Sequence, residues 1–152
     1  MGGRAALSNI ILKGRGVVPG IVEGEALVTS QTISGFGGID NQTGEITEVR
    51  HELRGQSFKD KVLVFPGAKG SSGWASHFQT VRLAGAAPKA MIFNIMTTKM
   101  ALGAVVTRVP AVTDLDQNPI DVIKTGDWVK VDGDSGIVEI TPATARRDQG
   151  NS

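Results

Sequence analysis

The apolar positions of this chain fall into three patterns, and each predicts a different element. The near-continuous runs in "DKVLVFPG", from Asp60, and "KAMIFNI", from Lys89, read as short strands buried on both faces. In "SGWASHFQTVRLAGAAP" the apolar residues Trp74, Phe78, Val81 and Leu83 recur at roughly helical intervals, and Gly85 with Pro88 ends that helix. Alternation on both sides of "DGDSG" in "DWVKVDGDSGIVEI" is the clearest hairpin.

The remaining segments carry weaker signals. "IILKGRGVVPGIVEGEALVTSQ" holds two β-branched runs punctuated by Gly14, Gly16, Pro19, Gly20 and Gly24, which predicts a hairpin or barrel-like meander. "SGFGGIDNQTGEITEV" reads as a flexible loop at Gly35, Gly37 and Gly38 followed by a turn. "TKMALGAVVTR" predicts a short helix and "VPAVTDLD" a strand with its turn. "NPIDVIKTG" reads as a helix with Asn118 as N-cap, Pro119 at its first position and Gly126 just past its end. A β-rich first half and an alternating β/α second half predict an α/β domain, with helices against one sheet and further strands as another layer. Its expected span is 10–141, between small, polar, aperiodic flanks at 1–9 and 142–152 that read as flexible ends.

Composition narrows the chemistry. A chain of 152 residues is most economically one domain and can bury a core large enough to do without covalent staples. It has no cysteine, so disulfides and thiolate metal sites are excluded, and any iron–sulfur cluster involved would be ligated mostly by another chain. The net charge is only +1, from interspersed opposite signs, with no Tyr and two Trp, which argues against nucleic acid. No apolar run approaches the roughly 20 residues of a membrane span, and "MGGRAALSN" lacks the apolar centre of a signal peptide. The expected location is the cytoplasm.

One stretch carries candidate chemistry: "FPGAKGSSGW", Phe65 to Trp74, a glycine- and serine-rich loop where a strand hands over to a helix. Backbone N–H groups are unpaired there and the helix dipole is positive, so such a loop receives anions: a carboxylate, a phosphate or a serine alkoxide. Ser71 and Ser72 add hydroxyls and Lys69 a cation. One serine as a simple helix cap is the plain structural account. A serine acting as a proton-transfer base is the functional one, and it requires a closed, strongly positive site completed by a partner. His77, about a turn and a half beyond Ser71, is either structural or a nucleophile or base. His51, in "EVRHELRG", reads as a surface or strand-end histidine. Asp132 and Asp134 serve the hairpin turn, and no metal site is expected in this chain.

The segments "SGFGGIDNQTGEI", "RHELRGQSFKDKVLVFPGAKGSSG", "MALGAVVTRVPAV" and "IKTGDWVKVDGDSGIVEI", in that order, resemble the small subunit, or small swivelling domain, of the aconitase X family, from about Lys13 to Ile140. The resemblance implies a swivelling β/β/α three-layer domain like the small domain of aconitases. It further implies a large aconitase X-like partner subunit that holds an iron–sulfur cluster, with none bound by this chain alone, and a hydro-lyase acting on a small hydroxy acid. Aconitases carry a "GSS" loop whose first serine is the base, so Ser71 inherits that role, and Gly70 and Ser72 shape the loop and supply donors beside Lys69. The arginine that follows in aconitases is replaced here by Gly73 and Trp74, so the carboxylate clamp comes from elsewhere. Gly37 and Gly38 are expected to face the same cleft and allow close approach of substrate or partner.

Two substrates are implied by the family, cis-3-hydroxy-L-proline and mevalonate 5-phosphate. Trp74 directly after "GSSG" directs the reading to hydroxyproline, with mevalonate 5-phosphate the alternative. A second resemblance covers less of the chain: "WASHFQTVRLAGAAP" with "TGDWVKVDGDSGIVEI" is similar to the mobile phosphohistidine domain of phosphoenolpyruvate-utilising enzymes, which would make His77 a phosphate carrier.

Overall fold

The computed structural model describes residues 9–35, 37–69, 74–95 and 97–143. Ten strands run in chain order as β1 (Ile10–Lys13), β2 (Arg15–Val18), β3 (Ile21–Val28), β4 (Ile33–Ser34), β5 (Val62–Phe65), β6 (Ala68–Lys69), β7 (Ala90–Phe93), β8 (Ala111–Thr113), β9 (Trp128–Asp132) and β10 (Ile137–Thr141). The helices are α1 (Trp74–Leu83), α2 (Thr98–Thr107) and the single turn α3 (Pro119–Val122).

Eight strands form one sheet in the order β1-β10-β9-β3-β5-β7-β8-β2, while β4 and β6 pair separately. Its two end strands are neighbours in the chain, joined through Gly14, so the sheet folds over until one extended segment borders both edges. Strand β3 serves both arms: Ile21–Glu25 pair antiparallel with β9, and Ala26–Val28 pair parallel with β5. One arm is therefore the antiparallel set β1, β10 and β9, and the other the parallel set β5, β7 and β8 with β2 antiparallel at its edge.

The two apolar cores follow from the period of two along each strand. Val62 and Val64 of β5, and Ala90 and Ile92 of β7, point between the arms, where they meet Val129, Val131, Val138 and Ile140. The intervening Leu63, Phe65, Met91 and Phe93 point the other way, into a core with Trp74, Phe78, Val81 and Met100 of the two long helices. Continuous apolar composition in β5 and β7 is what burial on both faces requires. The result is three layers, β/β/α.

Close backbone packing completes the fold where the β9–β10 turn crosses the 14–20 stretch. Gly133 N–H donates to the Gly20 carbonyl at 2.7 Å and Gly14 N–H to the Gly136 carbonyl at 2.8 Å. A Cβ at Gly133 would overlap the Val18 carbonyl, and one at Gly16 would overlap that of Gly133. Asp132 ties the turn by accepting from the Asp134 and Ser135 amides, and Asp134 accepts from Gly20. The Ser135 backbone amide, first among these donors, holds the Asp132 carboxyl below its ordinary range.

Three sequence expectations change. The 10–31 region forms no hairpin: β2 pairs with β8 and β3 with β9 and β5, partners far along the chain. Leu83 leaves the α1 core stripe and is 71% exposed, because a helical face continued from Trp74, Phe78 and Val81 has turned away by that position. Helix α3 stops at Val122, short of the neighbourhood of Gly126, since Ile123 takes an extended conformation and is fully buried between the arms. Other local readings stand: Asn118 caps α3 with Pro119 behind it, and α1 ends at Gly85 (φ 76°), with Gly85 and Ala86 amides returning to Arg82 and Val81 carbonyls in a Schellman closure. At the boundaries, Asn9 bonds Glu139 and Thr141, and the Ala143 amide donates to the buried Asp127 at 2.9 Å. Among the described residues no helix is long and apolar enough to cross a membrane.

Candidate functional site

Parallel pairing of β3 with β5 puts their carboxyl ends side by side, the usual position for a ligand crevice in such sheets. From β3 the chain continues through Thr29–Thr32 into β4. From β5 it continues through Pro66 and Gly67 into β6, and the two extensions pair in parallel, Ser34 opposite Lys69. Residues 70–73 follow Lys69 and lead into α1.

The excursion between β4 and β5 folds back onto this end. Glu52 accepts from the Thr29 hydroxyl and from the Ser30 amide, and Gln31 Oε1 accepts from the Glu52 amide at 2.8 Å. The bond from the Thr29 hydroxyl first, and then that from the Ser30 amide, hold the Glu52 carboxyl below the ordinary range. His51 is buried at 5% exposure, and both ring nitrogens are used. The Leu53 amide donates to Nδ1 at 3.1 Å, so the proton sits on Nε2, 3.2 Å from the Thr32 carbonyl. The expectation of a surface histidine is thus corrected: a ring satisfied at both nitrogens can be buried.

Together these segments enclose a cleft of about 500 Å³. Ser30, Gln31 and Thr32 form one wall, Glu48, Arg50 and His51 another, and Pro66 and Lys69 lie on the β5–β6 side. Lys69 Nζ lies 2.8 Å from Glu48 Oε2, while Glu48 Oε1 is buried and has no hydrogen-bond partner among the described residues. The Glu48 amide also reaches the Gly38 carbonyl, which the Thr47 amide shares.

Of the expected site residues, Gly70, Ser71 and Ser72 lie outside the described residues. Lys69 lines the cleft. Gly37 adopts a positive φ of 74°, and at Gly38 a Cβ would overlap the Ser34 carbonyl; the close approach that Gly38 permits is that of its own chain. Glu48 links the two halves of the expected site, bonding Gly38 through its backbone and Lys69 through its side chain. His77, half-buried on α1, accepts at Nδ1 from Asn41 Nδ2 at 3.2 Å. Trp74 is 1% exposed, donates its indole N–H to the Ile33 carbonyl at 2.8 Å and stacks on Phe78 with centroids 4.0 Å apart. It therefore belongs to the core, and its presence after "GSSG" carries no information about substrate.

Sequence reasoning missed Glu48, Arg50 and the Ser30–Thr32 wall. The hydroxyl cluster in "VTSQT" and the charges in "EVRHELR" were the available signals, but neither has a spacing that pairs it with the other. Among the described residues no group of three or more His, Cys, Asp or Glu side chains is arranged to hold a metal ion.

The family model described as the aconitase X swivel domain matches residues 11–140. The chain is 41% identical over 130 residues to a phosphomevalonate dehydratase small subunit of Methanocella arvoryzae, covering 86% of this chain and 98% of that protein. It is also 41% identical over 132 residues to the phosphomevalonate dehydratase small subunit of Methanosarcina acetivorans, covering 86% and 91%. The crystal structure of Thermococcus kodakaraensis aconitase X in its holo-form superposes with a TM-score of 0.81 at 40% identity, covering 86% of this chain and 98% of that one.

Proposed function

The chain belongs to the aconitase X swivel-domain family, and from that premise we propose that it is the small subunit of a hydro-lyase that dehydrates mevalonate 5-phosphate. The observation that carries the substrate is the near full-length match to proteins named phosphomevalonate dehydratase small subunit. With Trp74 in the core, the residue that directed the reading to cis-3-hydroxy-L-proline no longer supports it. Of the two cations at the cleft, Lys69 is paired with Glu48, and Arg50 suits a substrate that carries a phosphate.

In this reading the large subunit supplies the rest of the active site, including any iron–sulfur cluster, since this chain has no cysteine to ligate one. The small subunit contributes the base. Ser71 Oγ removes a proton from the carbon next to the substrate carboxylate, the electron pair forms the carbon–carbon double bond, and the hydroxyl on the adjacent carbon departs as hydroxide, which together with the proton taken up by Ser71 makes up the water released. Amide donors at the start of α1 and the nearby Lys69 ammonium lower the cost of a serine alkoxide once the two subunits close and exclude water.

The test is reconstitution with the large partner. The complex should dehydrate mevalonate 5-phosphate and leave cis-3-hydroxy-L-proline unchanged; the reverse preference would return the hydroxyproline reading.

A further inference from the structure

Resting on that substrate reading, we propose that Arg50 binds the phosphate of the substrate, which makes the 30–32 and 48–51 walls of the cleft a phosphate subsite separate from the 70–73 loop. Two cations line the cleft, but they are not equivalent. Lys69 is compensated by Glu48 at 2.8 Å, whereas Arg50 is exposed and has no ion pair or side-chain hydrogen bond among the described residues.

The neighbouring carboxylates do not compensate it. Glu52 keeps its charge, with its bonds from the Thr29 hydroxyl and the Ser30 amide and hydroxyl all on Oε2, but among the described residues it forms no ion pair with Arg50. Glu48 spends one oxygen on Lys69, and its other oxygen is buried. A guanidinium left unpaired in a concave site presents parallel N–H donors that match two phosphate oxygens, which an ammonium does not.

Further donors surround it. Gln31 Oε1 is occupied by the Glu52 amide, which leaves the Gln31 amide N–H groups for a ligand, and the Thr32 hydroxyl stands on the same wall, whereas the Ser30 hydroxyl donates to Glu52. The volume, about 500 Å³, lies within the range of roughly 300–1,000 Å³ that holds small molecules. Arg50 would then also decide specificity, because a hydroxylated imino acid has no phosphate to give it.

The experiment compares Arg50→Ala, Arg50→Lys and, as a control on an exposed arginine outside the cleft lining, Arg54→Ala in the reconstituted complex. Arg50→Ala should raise KM for mevalonate 5-phosphate about tenfold or more with kcat little changed, Arg50→Lys should fall between, and Arg54→Ala should match the parent. Inhibition by inorganic phosphate should weaken in parallel, with inhibition by acetate unaltered. An unchanged KM overturns the proposal, and so does a loss of acetate rather than phosphate inhibition, which would place the carboxylate on Arg50.

Titration of the isotopically labelled full chain with inorganic phosphate gives a readout free of turnover. Shifts confined to residues 30–32 and 48–52, abolished in Arg50→Ala, support the subsite even if the parent complex fails to dehydrate mevalonate 5-phosphate, a failure that would sink the substrate reading only. Their absence in the parent chain overturns the subsite.

Discussion

A Cβ at Gly103 would overlap the indole ring of Trp74, so α1 and α2 can approach only because that position carries no side chain. Gly103→Ala should therefore cost about 1–3 kcal/mol through overpacking, read as a lowered thermal or urea midpoint, even though alanine is the better helix former. Chemistry at this scale separates two residues of the same neighbourhood. Ser71→Ala in the reconstituted complex should lose turnover by a factor of about 10² to 10⁴, the usual contribution of a positioned base, while His77→Ala keeps most of it. Loss in the histidine variant alone, or acid-labile phosphate on the chain after incubation with phosphoenolpyruvate, would favour the carrier reading. The caps at Asn118 and Gly85 could be read from the sequence because a cap is a local arrangement of a few residues. The role of Trp74 could not, since an aromatic next to a glycine–serine loop looks the same whether it faces ligand or core.

Among the elements, the cleft depends on a zipper between the segment leaving β3 and the 48–53 turn. Glu52 is its charged member. Because hydrogen bonds lower its pKa in the folded chain, its stabilisation is fully present above the unfolded-state value and disappears as pH falls through the folded-state value. The parent chain should therefore exceed Glu52→Gln in stability at neutral pH, and the difference should close in acid; urea unfolding across that range checks it. The group is largely exposed, so solvent screening keeps the effect small. The β9–β10 hairpin was legible because its two strands are adjacent and alternate, and β5 and β7 because burial on both faces leaves a continuous apolar run. The 10–31 region misled for the opposite reason: its two runs form three strands, β1, β2 and β3, whose partners lie as far away as Ala111–Thr113, Trp128–Asp132 and Ile137–Ile140.

At the level of the whole molecule, the proposed activity needs two proteins. The small chain alone should show no dehydratase turnover, and activity should appear on titration with the large subunit and saturate at equimolar ratio, as an assay at fixed small-subunit concentration would show. The sequence by itself determined the alternation of strands and helices, the absence of thiolate ligands and, through ordered motifs over nearly the whole chain, the family. These are properties of neighbouring residues or of composition, so they survive without coordinates. Only the tertiary structure decided that β3 is shared between two arms, that Trp74 and His51 are buried, and that Arg50 lines one cleft with Ser30 and has no ion pair among the described residues. Those facts arise when segments some twenty or more residues apart are brought together by sheet pairing, and polar residues on irregular loops have no periodicity that announces where they will meet.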